Sequence, residues 1–361
     1  MNKRIKLFDP VVNHLEERSV IQILRSGNWA SGAGKNIVKK FEDDFQKYTN
    51  TNACIAVNSG TAALNMALSL VDVENKEVIL PSMSFVSTAN AVILNGGRPV
   101  FAEIEPETLC IDPKSVKKLL TKKTRVILPV HFGGMPCKLD KLKEIIKNHD
   151  CKIIEDSAHA AGTTYNHKKI GSHTFASCFS FHPVKNLAMP TGGAITINDK
   201  KYKKIRESLK SKRWCGITDR KFSEYNVKEI GNNYYMNEFS AAIGLVQLKK
   251  LDRMNKQRKN IARIYSKEIM IEKKMGFDQN CSYHLFWIRV KNRKKIRESL
   301  DDKGIETGTH YKSINTFDFY KKFNKTPITE KISKEIVTIP IHPNLKKSEI
   351  NRIVKTINSI I

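Results

Sequence analysis

The sequence has little of what a secreted, membrane-bound or metal-binding protein needs. Its seven cysteines are an odd number without a C-x-x-C pair, which indicates reduced thiols in a cytoplasmic protein. No apolar run approaches the roughly 18 residues of a membrane-spanning helix. Residues 1–10 carry positive charge without an apolar stretch behind them, so we expect no secretory signal. We also find no metal-ligand spacing and no glycine-rich nucleotide loop.

Acidic residues are scarce relative to basic ones. The 361 residues include 36 acidic and 63 basic side chains, for a net charge of +27. Such a surplus is typical of nucleic-acid-binding proteins. Here, however, the lysines are spread over many predicted helices, with no basic tail and no patch interleaved with aromatic residues. We therefore expect a solvated, lysine-rich surface and no nucleic-acid partner, and the charge favours an anionic, phosphate-bearing substrate.

Helical and strand-like patterns alternate from about residue 36 to residue 200. An apolar helix face formed by Ile37, Val38, Phe41, Phe45 and Tyr48 precedes a strand at 53–57 and a helix at 61–70. Further short β-rich runs follow at 77–80, 99–104, 125–130 and 152–155. This alternation predicts an α/β fold with a mainly parallel, doubly wound sheet. Ligands of such sheets lie beyond the carboxyl ends of the strands.

The pattern changes after residue 200. Two helices at 237–251 and 256–270 are followed by a strand at 285–290, a helix at 294–303, a strand at 337–341 and a final helix from residue 347. We interpret residues 1–245 as a large domain, whose N-terminal segment packs on the second domain, and residues 246–361 as a smaller α+β domain.

Three segments carry candidate chemistry. Gly60 and Thr61 lie where a strand ends and a helix begins, so exposed N–H groups there would bind a phosphate; a simple Ser/Thr helix cap is the competing interpretation. Asp156 ends a buried strand and would pair with a protonated pyridine nitrogen, although a lone Asp there is more often a helix cap. Lys185 follows a strand rich in aromatic and hydroxyl residues, and a lysine in a dry pocket becomes a nucleophile for carbonyls.

The order of these segments resembles fold-type I pyridoxal-phosphate enzymes, specifically the DegT/StrS family of nucleotide-sugar aminotransferases. Asp156 follows the predicted phosphate-binding segment at Gly60 and Thr61 by about 95 residues, and Lys185 lies about 30 residues beyond Asp156. The resemblance covers nearly the whole chain. Its motifs are LRSGNWASG (24–32), FE (41–42), NSGTAAL (58–64), PSMSF (81–85), EDSAH (155–159), SFHPVKNL (180–187), NY (233–234) with Met236 and Glu238, AAIG (241–244), HY (310–311) and IPIHPNL (339–345).

The resemblance implies a role for each matching residue. Lys185 would hold pyridoxal 5'-phosphate as a Schiff base and move protons, and Asp156 would bond the pyridine nitrogen. The cofactor contacts implied for the remaining residues are ring stacking by Phe85, a position close to the ring for His159, and phosphate binding by Gly60, Thr61, Ser180 and, from the neighbouring subunit, Asn233. The last role implies a homodimer with shared active sites. Phe85 would otherwise be a plain core aromatic.

The substrate side of the site is less defined. Trp29 lies in the first motif, and His310 and Tyr311 either line the sugar pocket or form a packed core pair. The chain departs from the family at Pro190-Thr191, where "GEGG" is usual, and at Tyr235, which replaces the arginine of "NYRM". Family members that act as dehydratases replace the Schiff-base lysine with histidine, so Lys185 favours transamination.

The resemblance therefore implies an aminotransferase that moves an amino group from glutamate to a keto group of a nucleotide-linked sugar, such as a 4-keto-6-deoxyhexose. A surface polysaccharide, a glycan decoration or a secondary metabolite would be the product of its pathway. The alternatives are transamination of a keto-cyclitol or of a sugar without a nucleotide, a cofactor-binding regulatory protein that has lost catalysis, and a basic nucleic-acid binder.

Overall fold

A computed structural model describes residues 4–361. Residues 1–3, which belong to the segment in which no secretory signal is expected, lie outside the described residues. The helices are α1 (His14–Ser26), α2 (Asn36–Thr49), α3 (Gly60–Leu68), α4 (Ser87–Leu94), α5 (Pro113–Leu119), α6 (Leu139–Ile145), α7 (Tyr202–Lys212), α8 (Glu238–Glu268), α9 (Arg293–Asp302), α10 (Pro327–Glu335) and α11 (Lys347–Ile360).

Short strands alternate with these helices. They are β1 (Ala53–Val57), β2 (Glu77–Pro81), β3 (Arg98–Ala102), β4 (Thr124–Ile127), β5 (Lys152–Asp156), β6 (Thr164–Tyr165), β7 (Lys168–Lys169), β8 (Ala176–Ser180), β9 (Gly193–Ile197), β10 (Ile217–Lys221), β11 (Glu224–Val227), β12 (Phe286–Arg289) and β13 (Ile336–Ile339). The α/β alternation predicted between residues 36 and 200 is confirmed.

Seven strands form one sheet in the order β1-β9-β8-β5-β4-β2-β3. The neighbours from β3 to β8 pair in parallel, and β9 alone runs antiparallel between β1 and β8. Because β1, β5 and β8 point the same way, their carboxyl ends meet at one edge of the sheet. That edge is where the candidate site residues leave the strands.

Both faces of the sheet are covered by helices. In β1, Cys54 and Ala56 join one buried apolar cluster, whereas Ala53, Ile55 and Val57 join the other, as the two-residue period of a strand requires. The first cluster includes side chains of α2 and α8, and the second includes those of α3 and α4. This two-sided burial explains why the strands read as continuous apolar runs.

A buried ion pair ties α2 and α7 to the sheet. Arg213, which is fully buried, donates from Nη1 to the Glu42 carboxylate and to the carbonyl of Ala56 (3.0 Å). Glu42 also accepts the Ala56 N–H at 2.9 Å. Burial raises the pKa of Glu42, and the Arg213 charge opposes that rise. The pair thus satisfies backbone and side-chain groups together.

The C-terminal half contains one long helix where the sequence predicts two. The helix α8 runs without a break from Glu238 to Glu268. The segment between the two predicted helices contains no proline or glycine, and Met254 and Asn255 within it are buried, so tertiary packing continues the helix. The predicted strands there are confirmed as β12 and β13, which pair antiparallel. The domain boundary at 245/246 falls inside α8 and stays a proposal.

The segment after α7 forms an exposed hairpin of β10 and β11. Phe222 at its tip is 98% exposed, and Ile230 beyond it is 94% exposed. Within residues 4–361 no helix combines the length and apolar character needed to cross a membrane. No group of three or more His, Cys, Asp or Glu side chains in that range could hold a metal ion.

Candidate active site

Lys185 lies in the loop that follows β8, with its amine in the interior. Its Nζ lies 3.4 Å from Nε2 of His284, and its backbone N–H donates to the carbonyl of His182 at 2.8 Å. Burial lowers the pKa of the amine to about 8, although the charge of Asp156 acts in the opposite direction. The amine is therefore much closer to losing its proton at neutral pH than an ordinary lysine is.

Asp156 ends β5 and is 4% exposed. Its Oδ2 accepts the Thr88 hydroxyl at 2.8 Å, and its Oδ1 accepts the backbone N–H of Ala158 at 3.1 Å. A turn and no helix follows it, so the helix-cap interpretation is wrong. Burial raises the pKa of this carboxyl, with the hydrogen bond from Thr88 and the charge of Lys185 acting against the rise. A cationic group placed here would stabilise the carboxylate.

His159 is held in one tautomer between two elements. Its Nδ1 accepts the backbone N–H of Gly133 at 3.2 Å, so in the neutral ring the hydrogen is on Nε2, which lies 3.1 Å from the Tyr311 hydroxyl. The rings of His159 and Tyr311 are stacked 5.9 Å apart. Burial, followed by the charge of Lys185, lowers the pKa of His159 well below its usual value. The ring is therefore a neutral donor at pH 7.

Behind the site, Glu155 forms a fully buried network. His131 has Nδ1 accepting the N–H of Cys137, so its Nε2–H donates to Glu155 at 2.7 Å. The hydroxyls of Thr174 (2.5 Å) and Ser177 (2.9 Å) donate to the other carboxylate oxygen. Burial would raise the pKa of Glu155, but its hydrogen bonds with His131 and with the two hydroxyls lower it. The network fixes β5 next to Asp156.

Three segments form the predicted phosphate-binding site. Ser59 caps α3 by accepting the N–H of Ala62, so the simple cap interpretation also holds. Gly60 lies so close to β8 that a Cβ built on it would come within 2.7 Å of the Ser180 Cβ. A Cβ built on Gly193 would lie 2.4 Å from the backbone of Ser59. Only glycine permits these close approaches, which leave the N–H groups at the start of α3 near the Ser180 hydroxyl.

The next three predicted residues are Phe85, His310 and Asn233. Phe85 is 56% exposed and its ring lies 6.2 Å from that of Tyr311, so it is not a core aromatic. His310 is partly buried beside Tyr311, and its Nδ1 forms a hydrogen bond of 2.7 Å with the Thr338 hydroxyl. Asn233 is exposed, and its carbonyl accepts from the Asn58 amide at the start of α3.

Trp29 is the predicted residue that the fold does not connect to this cluster. Its indole is 51% exposed, donates to the carbonyl of Leu24 and packs 6.1 Å from the ring of Phe239. Among the described contacts, none links it to Lys185 or Asp156.

Two side chains of the site were missed by the sequence reasoning. Thr88 reaches Asp156 from α4, and His284 reaches Lys185 from the segment before β12. The hydroxyl-rich run after the motif at 81–85 is the only signal for Thr88. His284 carries none, because its contact arises only when the C-terminal region folds against β8.

These residues fit pyridoxal phosphate. The Lys185 amine, whose pKa is lowered, suits the aldehyde of the cofactor. The buried Asp156 carboxylate, which a cation would stabilise, suits its protonated ring nitrogen. The glycine-lined start of α3, with the Ser180 hydroxyl beside it, suits its phosphate. The fit rests on groups from β5, from β8 and the loop after it, and from the backbone at the start of α3, which meet at the carboxyl edge of the sheet.

Comparisons with known proteins point the same way. A model of the DegT/DnrJ/EryC1/StrS aminotransferase family matches residues 11–358. The spore coat polysaccharide biosynthesis protein SpsC of Bacillus subtilis is 35% identical over 320 residues, covering 84% of this chain and 82% of SpsC. PseC of Helicobacter pylori, an aminotransferase involved in the biosynthesis of pseudoaminic acid, superposes with a TM-score of 0.92 at 28% identity over 99% of both chains. The PLP form of a Streptococcus pneumoniae protein, provisionally described as a sugar aminotransferase, superposes with a TM-score of 0.91 at 27% identity over 99% of this chain and 98% of that one.

Proposed function

The chain belongs to the DegT/DnrJ/EryC1/StrS aminotransferase family and is an enzyme of the transferase class, and from that premise we propose that it transfers an amino group from glutamate to the keto group of a nucleotide-linked sugar, such as a 4-keto-6-deoxyhexose. The observation that carries the proposal is the convergence of Lys185 and Asp156 at one edge of the sheet, with the pKa of the lysine lowered to about 8.

Each residue has a task that its surroundings explain. When bound, pyridoxal phosphate supplies an electron sink for carbanionic charge. Lys185 would hold the cofactor and move a proton at the substrate carbon, a task for which a pKa near the working pH is suited. Asp156 would keep the pyridine nitrogen of the cofactor protonated, and Gly60, Thr61 and Ser180 would orient its phosphate. Phe85, which is exposed beside Tyr311, would cover one face of the cofactor ring.

A sugar substrate is supported by the relatives and by the charge of the chain. SpsC is a polysaccharide biosynthesis protein, and PseC is involved in pseudoaminic acid biosynthesis. The net charge of +27 favours an acceptor that carries phosphate groups, as a nucleotide-linked sugar does. His310 and Tyr311 would contact the sugar, since Tyr311 lies beside His159 and Phe85 and His310 lies next to Tyr311. Amination at this step would serve polysaccharide or glycan biosynthesis.

We also propose a cytoplasmic homodimer with two shared active sites. An apolar groove of about 530 Å³ lies between α1 and the 183–190 segment, with Val20, Ile21, Met189 and Pro190 in its walls. A groove of this composition favours burial against a second copy. Asn233 is exposed next to the start of α3, as a residue shared between subunits would be. Light scattering of the purified protein gives the mass that tests the dimer.

The half-reaction tests the function directly. The protein loaded with pyridoxal phosphate should lose its yellow colour when glutamate is added, release one 2-oxoglutarate per site, and regain the colour with the correct keto sugar. Lys185→Ala should remain folded but show neither colour nor turnover. Lys294→Ala, on the surface of α9, is the matched control and should behave as the unmodified protein does. Retention of colour and turnover by Lys185→Ala would contradict the proposal.

The competing functions differ in the acceptor or in turnover. A panel of nucleotide-linked keto sugars, free keto sugars and keto-cyclitols identifies the acceptor class in the second half-reaction. A regulatory protein would bind the cofactor yet release no 2-oxoglutarate. The intact pair of Lys185 and Asp156 argues against that alternative.

A further inference from the structure

A small cavity is lined by Lys185 and by residues of the C-terminal region and the N-terminal segment. Its volume is about 10 Å³, close to the room that one water molecule needs. Lys185 and the segment before it form one wall, and residues of α8, the N-terminal segment and the loop after β13 form the others. The side chains that matter are Lys185, Arg258, His284, His342 and Asp9.

Three buried polar atoms of this wall have no partner. They are Nη1 of Arg258, Nδ1 of His284 and Nδ1 of His342, on residues that are 6%, 3% and 6% exposed. Within residues 4–361 the Arg258 guanidinium makes no hydrogen bond and no ion pair, although burial lowers its pKa only to about 9 and it stays charged at pH 7. A buried polar group without a partner destabilises the folded state. Three such atoms around one cavity call for a shared polar partner.

The hydrogen positions on the two histidines follow from their other contacts. His342 Nε2 lies 3.1 Å from the carbonyl of Lys6, so it carries the hydrogen and Nδ1 is an acceptor. With a pKa of about 8, Lys185 is mostly an ammonium group at pH 7 and can only donate to Nε2 of His284. The hydrogen of neutral His284 is therefore on Nδ1. The cavity wall thus offers two donors, Arg258 and His284, and one acceptor, His342.

We propose that Arg258, His284 and His342 bind one buried water molecule, which connects Lys185 to the N-terminal segment and relays the proton that Lys185 gives up. The water accepts from Arg258 and His284 and donates to His342, so all three unpartnered atoms are satisfied. A water molecule fits this mixed set, whereas an anion would face the His342 lone pair.

The relay moves one proton by three hydrogen-bond exchanges. Lys185 Nζ passes a proton to His284 Nε2, His284 passes its Nδ1 proton to the water, and the water passes one to His342 Nδ1. The net change leaves a neutral amine at Lys185 and an imidazolium at His342. The Asp9 carboxylate, which lines the same cavity, stabilises that charge, while burial and the Arg258 charge oppose it. The relay rests on the proposed function, whereas the water site does not.

A high-resolution crystal structure of the cofactor-free protein tests the water site without turnover. We expect one water within hydrogen-bond distance of Arg258 Nη1, His284 Nδ1 and His342 Nδ1. Arg258→Lys should keep this water because it retains a donor, whereas Arg258→Met should lose it. An empty cavity, or an anion revealed by the anomalous signal of bromide, would overturn the site. These outcomes are independent of whether the protein transfers amines.

Nitrogen-15 spectra of histidine-labelled, cofactor-free protein test the hydrogen assignment and the relay. We expect the Nδ1–H form for His284 and the Nε2–H form for His342. His342→Phe should slow solvent exchange of the His284 Nδ1 hydrogen by about tenfold, because the next acceptor in the chain is lost. His173→Phe, which alters a half-buried histidine near β7, is the control and should leave the exchange unchanged. The opposite tautomers, or equal exchange in His342→Phe and the unmodified protein, would refute the relay.

Discussion

Lys185 should become reactive towards an acylating reagent at a lower pH than ordinary lysines of the cofactor-free protein. Its pKa of about 8, against an ordinary 10.5, leaves about 10% of the amine neutral at pH 7, compared with about 0.03% for an ordinary lysine. The neutral amine is the nucleophile, so at pH 7 the reactive fraction of Lys185 should be about 300-fold larger than that of an ordinary lysine. Asp156→Asn removes the charge that raises the pKa of Lys185, so the midpoint should move lower still.

Limited acetylation followed by peptide mass spectrometry measures this at each lysine across a pH series. Lys294, whose side chain is 87% exposed, serves as the surface comparison in the same sample. We expect half-maximal acetylation of Lys185 near pH 8 and a lower midpoint in Asp156→Asn. A Lys185 midpoint near that of ordinary lysines would show that water solvates the amine, so that burial does not lower its pKa. A higher midpoint in Asp156→Asn would contradict the conclusion that the Asp156 charge raises the pKa of Lys185.

Three further predictions concern stability and cofactor binding. Glu42→Ala leaves the Arg213 charge buried without its carboxylate and should lower the free energy of unfolding by about 3 kcal/mol, measured by urea denaturation at fixed protein concentration. Because the folded-state pKa of Glu155 lies below the unfolded value of about 4.3, its stabilisation is present above that pH and lost as the pH falls through the folded pKa. The stability of the unmodified protein should therefore fall more steeply than that of Glu155→Gln between roughly pH 5 and pH 3, and parallel curves would contradict this. Gly193→Ala should weaken pyridoxal-phosphate binding by about tenfold in an absorbance titration, since its Cβ would collide with the backbone of Ser59, whereas Gly276→Ala, with open space around it, should bind normally.

Much of the large sheet could be predicted from the sequence because each of its strands is a short apolar run between helical patterns. The strand β9 was not predicted, and nothing in Gly193–Ile197 indicates a strand that runs against its neighbours. The continuity of α8 was also missed, because the polar residues near Asn255 interrupt the apolar period while packing maintains the helix.

The site shows the same division. Lys185, Asp156 and His159 lie on local motifs that follow strand ends, so their neighbourhood could be predicted from their order in the chain. His284 and Arg258 lie about 100 and 70 residues beyond Lys185 in segments with no catalytic pattern. Their proximity to the amine results from how α8 and the segment before β12 pack against the sheet, which local sequence does not encode.

The long helix restricts how the enzyme can open. Thirty-one residues at 1.5 Å each make a rod of roughly 46 Å. At one end the Glu238 carboxylate accepts the N–H groups of Ile37 and Val38 beside the sheet; near the other, the Tyr265 hydroxyl donates to Pro340 next to β13. Tilting the C-terminal region away from the sheet would require bending this rod or breaking these anchors. Arg258, which lies on this rod between the two anchors, should therefore keep its place beside the cavity next to Lys185.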